Sequence, residues 1–250
     1  MTTITSATHR VQIKLKQSIT SSDEIVAQFG KCIVDFFGFT EKGSGYVGFS
    51  HMNDELTLFG LGNSVNQPNQ SVLMKHASLC PVFHLNQLEY ETLPRELKDR
   101  GVNIGVAVLL TSADNHVLVT RRASHMRTFP GIWVPPGGHI EIGESLFNAG
   151  AREVQEETGL VLSNIPYHVL GLWESVYPHK LEFGTPIRQH IVVYLAMKSD
   201  LTWQELFDQI KVCAAKFGRN YFLYKSMMIH FYQFSWTHQK LMQLCGYHFH

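Results

Sequence analysis

A run of residues between positions 138 and 160 has the types and spacing needed for metal-assisted chemistry on phosphorus. It matches GX5EX7REUXEEXGU, where U is aliphatic, at all seven fixed positions. At average amino-acid usage, a chance match is on the order of one in 10⁸. The residues of the pattern are Gly138, Glu144, Arg152, Glu153, Val154, Glu156, Glu157, Gly159 and Leu160.

The pattern places three carboxylates on one stripe of a helix, because Glu153, Glu156 and Glu157 are spaced i, i+3 and i+4. Like charges this close repel each other, so the stripe is costly unless cations lie between them. Hard oxygen ligands suit Mg²⁺ or Mn²⁺. Such an ion neutralises phosphate charge and activates water for attack on phosphorus. The sequence therefore predicts that all three are metal ligands, and that Glu153 and Glu156 also act in catalysis.

The residues around the stripe have predicted supporting roles. Gly137 and Gly138 let the backbone approach the metal, so the Gly137 carbonyl is a further predicted ligand. Arg152 can hold a carboxylate in a two-pronged fork, and Glu144 precedes the helix and can orient Arg152 or a water on the metal. Both are counted with the catalytic group. The alternative is a solvated acidic helix, which the matching glycines, Glu144 and Arg152 disfavour.

Other residues near the pattern allow two interpretations each. Arg121 and Arg122 end a strand, where they either bind a substrate phosphate or are simply exposed. Trp133 is expected to pack against the helix rather than to stack on a base. Glu174 follows a strand and is a candidate metal ligand or base, or else structural. His190 is expected to be a structural histidine.

The elements that must position this chemistry are those of an α/β layered fold. A helix is predicted over 145–157, and Gly159 stands where its cap belongs. Apolar runs predict strands at 105–110, 117–120, 169–173 and 190–196.

The sequence resembles the Nudix hydrolases, and within them the nucleoside diphosphate-linked moiety X motif 17 proteins. The likeness is carried by 105–123, 133–139, the pattern itself, 170–175, 177–178 and 190–195. It implies a Nudix α/β/α sandwich, dependence on Mg²⁺ or Mn²⁺, and Glu153 and Glu157 as metal ligands. It also implies activity on capped RNA, releasing 7-methyl-GDP.

Three regions of the sequence differ in their residue patterns. Residues 1–97 are predicted to be a small α+β region, with a strand at 10–16, a helix at 21–36 and a hairpin across Asn53-Asp54. Residues 98–197 are the predicted Nudix core. Residues 198–250 are predicted to be an atypical, poorly ordered tail without a strand. The family pattern of an acidic loop, a strand and a helix is not recognisable there, and we expect an alternative transcript or an uncertain gene model.

The amino-acid composition limits which partners and which cellular compartment we expect. The chain has 250 residues, with 21 basic and 21 acidic residues, so it has no global attraction to nucleic acid or anionic membrane. The four cysteines form no CxxC pair, which argues against a sequence-local zinc site and a disulfide scaffold. A reducing compartment follows, so we expect a cytoplasmic location, with a nuclear one as the alternative.

The sequence contains no apolar run long enough to span a bilayer. Its N-terminal residues are free of acids up to Ser22, as in a targeting presequence. Val11, Ile13 and Leu15 alternate with polar residues, however, which favours a strand.

The leading functional hypothesis is a metal-dependent hydrolase of nucleoside diphosphate-linked substrates, acting on the mRNA cap. The partner is then a nucleoside diphosphate-linked small molecule or capped RNA, and the oligomeric state stays open. The first alternative is the same chemistry on coenzyme A or a nucleotide sugar. The second is an inactive, truncated Nudix binding protein, because the C-terminal segment departs from the family pattern.

Overall fold

The computed structural model describes residues 10–39, 43–61, 71–125, 130–217 and 225–230. Both helices and strands occur in these ranges, which confirms the mixed α/β class. The strands are β1 Gln12–Lys16, β2 Ile25–Val26, β3 Ser44–Met52, β4 Glu55–Gly60, β5 Ser71–His76, β6 Asn103–Thr111, β7 His116–Arg121, β8 Trp133–Val134, β9 Gly137–His139, β10 Tyr167–Tyr177, β11 Arg188–Lys198 and β12 Lys225–His230. The α-helices are α1 Ile33–Phe36, α2 Pro81–His84, α3 Gln87–Thr92, α4 Arg95–Arg100, α5 Leu146–Thr158 and α6 Trp203–Phe217.

The chain forms two compact units built from interleaved segments. The first unit comprises Met1–Gly105, His139–Ser145 and Gly171–Val193, and the second comprises Val106–Gly138, Leu146–Leu170 and Tyr194–His250. These boundaries do not follow the divisions predicted after residues 97 and 197.

In the first unit, hydrogen-bonded strands follow the order β10-β5-β3-β4-β1-β2. β5 pairs in parallel with β10, and β1 pairs in parallel with β4. β3 and β4 form the predicted hairpin, whose turn residues Asn53 and Asp54 have φ of 51° and 62°. Asn and Asp tolerate this left-handed conformation better than other residues that carry a Cβ. The predicted strand at 10–16 is also confirmed, as β1.

The helix predicted over 21–36 is wrong for most of its length. Ile25 and Val26 instead form β2, which pairs with β1. Gly30 has a φ of +81°, which interrupts any right-handed helix, so α1 begins only at Ile33. The apolar residues that suggested a helix are buried for another reason. Phe29 precedes Gly30 and Ile33 begins α1, and their side chains are 0% and 1% exposed.

In the second unit, the strand order is β12-β7-β6-β11, and β8 pairs with β7. α5 confirms the predicted helix, and Gly159 follows it with a φ of +79°. α5 packs closely on the strands at Gly150, where an added Cβ would lie 2.9 Å from Cγ2 of Val108. This contact fixes the helix that carries the acidic stripe.

The segment after residue 198 contributes α6 and β12. The first turn of α6 has a capping box, in which Thr202 N–H donates to the Glu205 carboxylate and Glu205 N–H to the Thr202 hydroxyl. Trp203 N–H donates to Asp114 Oδ1 at 2.9 Å, and Leu206 is 2% exposed. β12 pairs antiparallel with β7, although no strand was predicted here. Residues 218–224 and 231–250 lie outside the described residues, so the predicted disorder of the tail stays a prediction.

Among the described residues, none of the helices has the length and apolar character needed to cross a bilayer.

Candidate metal-binding active site

The acidic stripe lies on α5, and its carboxylates differ in their exposure to solvent. The side chain of Glu153 is 13% exposed and that of Glu156 is 59% exposed. Glu157 is half-buried one position further along the helix. The predicted placement of the carboxylates on one helix is therefore confirmed. Glu156 is exposed to solvent, whereas Glu157 lies against a strand of the second unit.

Arg152 links two carboxylates of the stripe. Its Nη1 donates to Oε1 of Glu153 at 2.8 Å and lies 3.4 Å from Oε1 of Glu156. A two-pronged fork on one carboxylate was predicted, whereas these contacts join two carboxylates through one nitrogen. The guanidinium charge lowers the mutual repulsion of the pair and fixes both side chains.

Glu157 is held from two directions. The Thr120 hydroxyl donates to Oε2 at 2.6 Å, and the Gly137 N–H donates to Oε1 at 3.3 Å. Burial raises the pKa of Glu157 to about 7, and the charge of Glu153 adds to this effect. The two hydrogen bonds and the charge of Arg122 oppose it. A nearby cation would therefore favour the ionised carboxylate strongly.

The glycine pair provides the close backbone approach that the sequence predicted. A Cβ added at Gly138 would collide with the carboxylate of Glu153, and one at Gly137 would collide with the carbonyl oxygen of Val106. The room for the Glu153 carboxylate thus exists because residue 138 lacks a side chain. Oxygen donors on half-buried carboxylates beside bare backbone suit a hard divalent cation. The Gly137 carbonyl as a ligand stays a prediction.

The two arginines predicted to bind substrate differ in their surroundings. Arg121 uses its Nε to donate to the Gly131 carbonyl at 2.8 Å, so its guanidinium contacts the segment just before β8. Arg122 is close enough to Glu157 for its charge to lower the pKa of that carboxyl. Of the two, Arg122 is thus the one that acts electrostatically on the acidic stripe.

Glu144 lies in the first unit, just before α5. Its Oε2 accepts a hydrogen bond from the Glu141 N–H at 2.9 Å, which closes the turn that leads into the helix. This contact gives Glu144 a structural task, and its predicted role toward Arg152 or a water stays a prediction.

Thr120 is the site residue that sequence reasoning missed. It was assigned only as the last residue of an apolar strand, yet it is 0% exposed and donates to Glu157. The available signal was a hydroxyl residue after the apolar run from Val117 to Val119. A buried hydroxyl needs a partner, and the helix behind the strand supplies one.

Glu174 and His190, the two candidates outside the stripe, have their described contacts in the first unit. The Glu174 carboxylate accepts from the N–H groups of Ile33 and Val34 and from Gln189 Nε2. Burial lowers the pKa of His190 to about 4, with contributions from His139 and Arg188. A half-buried, neutral His190 agrees with its predicted structural character.

Comparison with known proteins supports the interpretation of the stripe. Residues 101–215 match the family described as NUDIX domain, and this range includes α5 and most of α6. The chain is similar to three proteins named m7GpppN-mRNA hydrolase NUDT17. It is 38% identical to the Xenopus laevis protein over 76% of this chain and 64% of the relative, and 55% identical to the Danio rerio protein over 52% and 44%. It is 49% identical to the Homo sapiens protein over 45% of this chain and 35% of the relative.

The chain thus spans between about a third and two thirds of the length of these relatives. The family match also extends beyond residue 197, where the core was predicted to end. The intact pattern, the helix that carries it and these similarities agree. Residues 101–215 of the chain match the Nudix domain.

Proposed function

We propose that the chain is a divalent-metal-dependent hydrolase of nucleoside diphosphate-linked substrates, with capped RNA as substrate and 7-methyl-GDP as product. The main support for this proposal is the half-buried Glu157 carboxylate, which accepts hydrogen bonds from Thr120 and Gly137. Glu157 lies on the same helix as Glu153 and Glu156, which Arg152 links. The names of the similar proteins, m7GpppN-mRNA hydrolases, support the choice of substrate.

The donor set fits Mg²⁺ or Mn²⁺. Glu153, Glu156 and Glu157 would hold the ion, with the Gly137 carbonyl as a further ligand. When bound, such an ion neutralises phosphate charge and makes a water molecule a stronger nucleophile toward phosphorus.

The chain's own residues orient these ligands and handle charge and protons. Thr120 and Gly137 fix both oxygens of Glu157, while Arg152 fixes Glu153 and Glu156. Glu156 is the most exposed of the three, and we assign its carboxylate as the acceptor of the proton that the attacking water releases. Arg122 adds positive charge near Glu157, where substrate phosphate would be attracted.

A substrate panel tests this function. Capped RNA, coenzyme A and a nucleotide sugar are each incubated with the chain in Mg²⁺ or in Mn²⁺, and the products are separated by chromatography. We expect 7-methyl-GDP from capped RNA at a higher kcat/KM than for either other substrate. Faster cleavage of coenzyme A or of the sugar would contradict the substrate. Binding of a cap analogue without turnover would contradict the activity.

Glu157→Gln tests the assignment of the metal. The amide keeps the shape but removes the charge, so turnover should fall by about 100-fold or more, as for loss of a metal ligand. Glu96→Gln is the matched control, since Glu96 is exposed on α4. A near-normal rate for Glu157→Gln at saturating Mg²⁺ would overturn the assignment.

A further inference from the structure

A second group of ligand-type side chains lies in the first unit, apart from the acidic stripe in sequence and in ligand chemistry. One ligand atom from each of Cys32, His76 and Glu174 lies within 4.8 Å of the others. Cys32 Sγ is 3.6 Å from His76 Nδ1 and 3.4 Å from Glu174 Oε2. Cys80 interacts electrostatically with Cys32 and His76, but its sulfur is not among these mutually close ligand atoms. We call these four residues the thiol cluster.

The fold assembles this cluster from distant parts of the sequence. His76 and Glu174 are register partners on the parallel strands β5 and β10, so their side chains share one face of the sheet. Cys32 immediately precedes α1, and Cys80 immediately precedes α2. The sequence argument against a zinc site rested on the lack of a CxxC pair, and it does not apply to ligands that strand pairing brings together.

We propose that Cys32, His76 and Glu174 bind a zinc-class divalent ion, and that the sulfur of Cys80 moves in as the fourth ligand of a closed, tetrahedral site. A tetrahedral zinc ion with Zn–S of about 2.3 Å and Zn–N or Zn–O of about 2.0–2.2 Å has S···N and S···O edges of about 3.5–3.6 Å. The observed separations of 3.6 Å and 3.4 Å match such edges closely.

The ligand types select zinc rather than the ion of the acidic stripe. Two sulfurs and an imidazole are soft or borderline ligands, which prefer Zn²⁺ to Mg²⁺ or Mn²⁺. Thiolates are the metal-binding form of cysteine.

A second layer of hydrogen bonds orients the carboxylate ligand. Oε1 of Glu174 accepts from Gln189 Nε2 at 2.8 Å and from the Ile33 N–H at 3.0 Å. Gln189 is itself fixed, because its amide donates to the Lys31 carbonyl and accepts from the Gly30 N–H. Such outer hydrogen bonds accompany most ligating carboxylates and set their direction. His76, Cys80 and Glu174 are at most 3% exposed, which fits a closed structural site.

Zinc content of the full chain is the first test. The chain is purified without chelator, dialysed against Mg²⁺ and analysed by mass spectrometry of the elements. We expect about one zinc ion per chain, and its loss in Cys32→Ser and in His76→Gln. Cys245→Ser, which changes a cysteine outside the proposed four, should keep the zinc. Glu153→Gln should keep the zinc while its binding of Mn²⁺ weakens, which separates the two sites.

Cobalt substitution makes the test independent of whether the variants fold. Wild-type chain stripped of zinc and loaded with Co²⁺ should show the thiolate-to-cobalt absorption and the intense visible bands of a tetrahedral complex. A wild-type chain without stoichiometric zinc and without this spectrum would overturn the proposal. A Cys32–Cys80 disulfide found in the zinc-free chain under reducing purification would overturn it as well.

Discussion

At the scale of single residues, the Nudix site is a set of charges whose repulsion the protein only partly relieves. Arg152 lies against Glu153 and Glu156, and Thr120 donates to Glu157. Burial nevertheless keeps the pKa of Glu157 near 7. A bound cation would stabilise the ionised form of the buried Glu157 carboxylate. Metal binding and the protonation of Glu157 should therefore be linked.

Gly138→Ala should weaken metal binding without unfolding the protein. The new Cβ collides with the Glu153 carboxylate, the end of a side chain that can rotate away from its position. We expect the Kd for Mn²⁺, measured by calorimetry, to rise about tenfold or more, as for other disturbed metal surroundings. Gly38→Ala is the control, since its Cβ would meet no atom within 4 Å, although its φ of +75° disfavours alanine. That variant should lose stability and keep its Mn²⁺ affinity, and the reverse pattern would contradict the role of Gly138.

The stability of the protein should depend on pH through Glu157 when Mg²⁺ and Mn²⁺ are absent. The folded pKa of about 7 lies above the ordinary 4.5, so the folded state binds the proton more tightly. This contribution is complete below pH 4.5 and is lost as the pH rises through 7. Thermal midpoints from calorimetry should therefore fall over this interval. Glu157→Gln should show a smaller fall, because it removes the carboxyl that takes up the proton. Equal falls in both proteins would contradict the assignment.

At the scale of elements, the strongest sequence patterns predicted the structure best. α5 follows its predicted helix within one residue at each end, and the β3–β4 hairpin forms around Asn53-Asp54. Both patterns are local, with a repeating apolar face or a defined turn. α1 and β2 were mistaken for one helix, and β12 was not predicted, because pairing with β1 and with β7 decides their state. A strand that depends on a distant partner carries a weak local signal.

Asp114→Ala should loosen the start of α6. Asp114 Oδ1 accepts from the Ser112 hydroxyl at 2.6 Å and from the Trp203 N–H at 2.9 Å, so the change leaves both donors without this acceptor. We expect a lower free energy of unfolding, as for the loss of other helix N-terminal contacts. Limited proteolysis should then cut earlier between residues 199 and 206 than in wild type. Asp200→Ala changes an exposed neighbour and should behave like wild type. Early cuts there in wild type would instead favour the foreign tail expected from the sequence.

At the scale of the whole molecule, the sequence predicted the class and the acidic stripe, but not how the units interleave. The predicted division at residue 97 assumed that neighbours in sequence form a unit. β5 pairs instead with residues 171–174 of β10, a contact across about a hundred positions that no local pattern indicates. Thr120 and the thiol cluster escaped prediction for the same reason. Their partners are far away in sequence, and one sequence without an alignment does not reveal such pairs.

Binding of capped RNA should depend only weakly on salt. The chain has equal numbers of acidic and basic residues, so affinity has to come from the cap and its phosphates rather than from a long RNA track. The measurement uses Glu157→Gln, which should bind capped RNA with little cleavage, at fixed Mg²⁺. The slope of log Kd for capped RNA against log salt concentration should correspond to fewer than about three phosphate contacts. A capped dinucleotide should show a similar slope. A slope for about six contacts or more would reveal a basic patch and contradict this expectation.

The parallel pairing of β5 with β10 affects how this domain can be isolated. The segment recognised by similarity begins at residue 101, whereas β5 covers Ser71–His76. A fragment cut at the recognised boundary would strip residues 171–174 of their neighbour and leave their backbone N–H and C=O groups facing water along an open edge. Such an edge recruits other chains, so the fragment should aggregate on expression even with every residue of the Nudix motif in place. The stretch by which the domain is recognised is shorter than the stretch that must fold together.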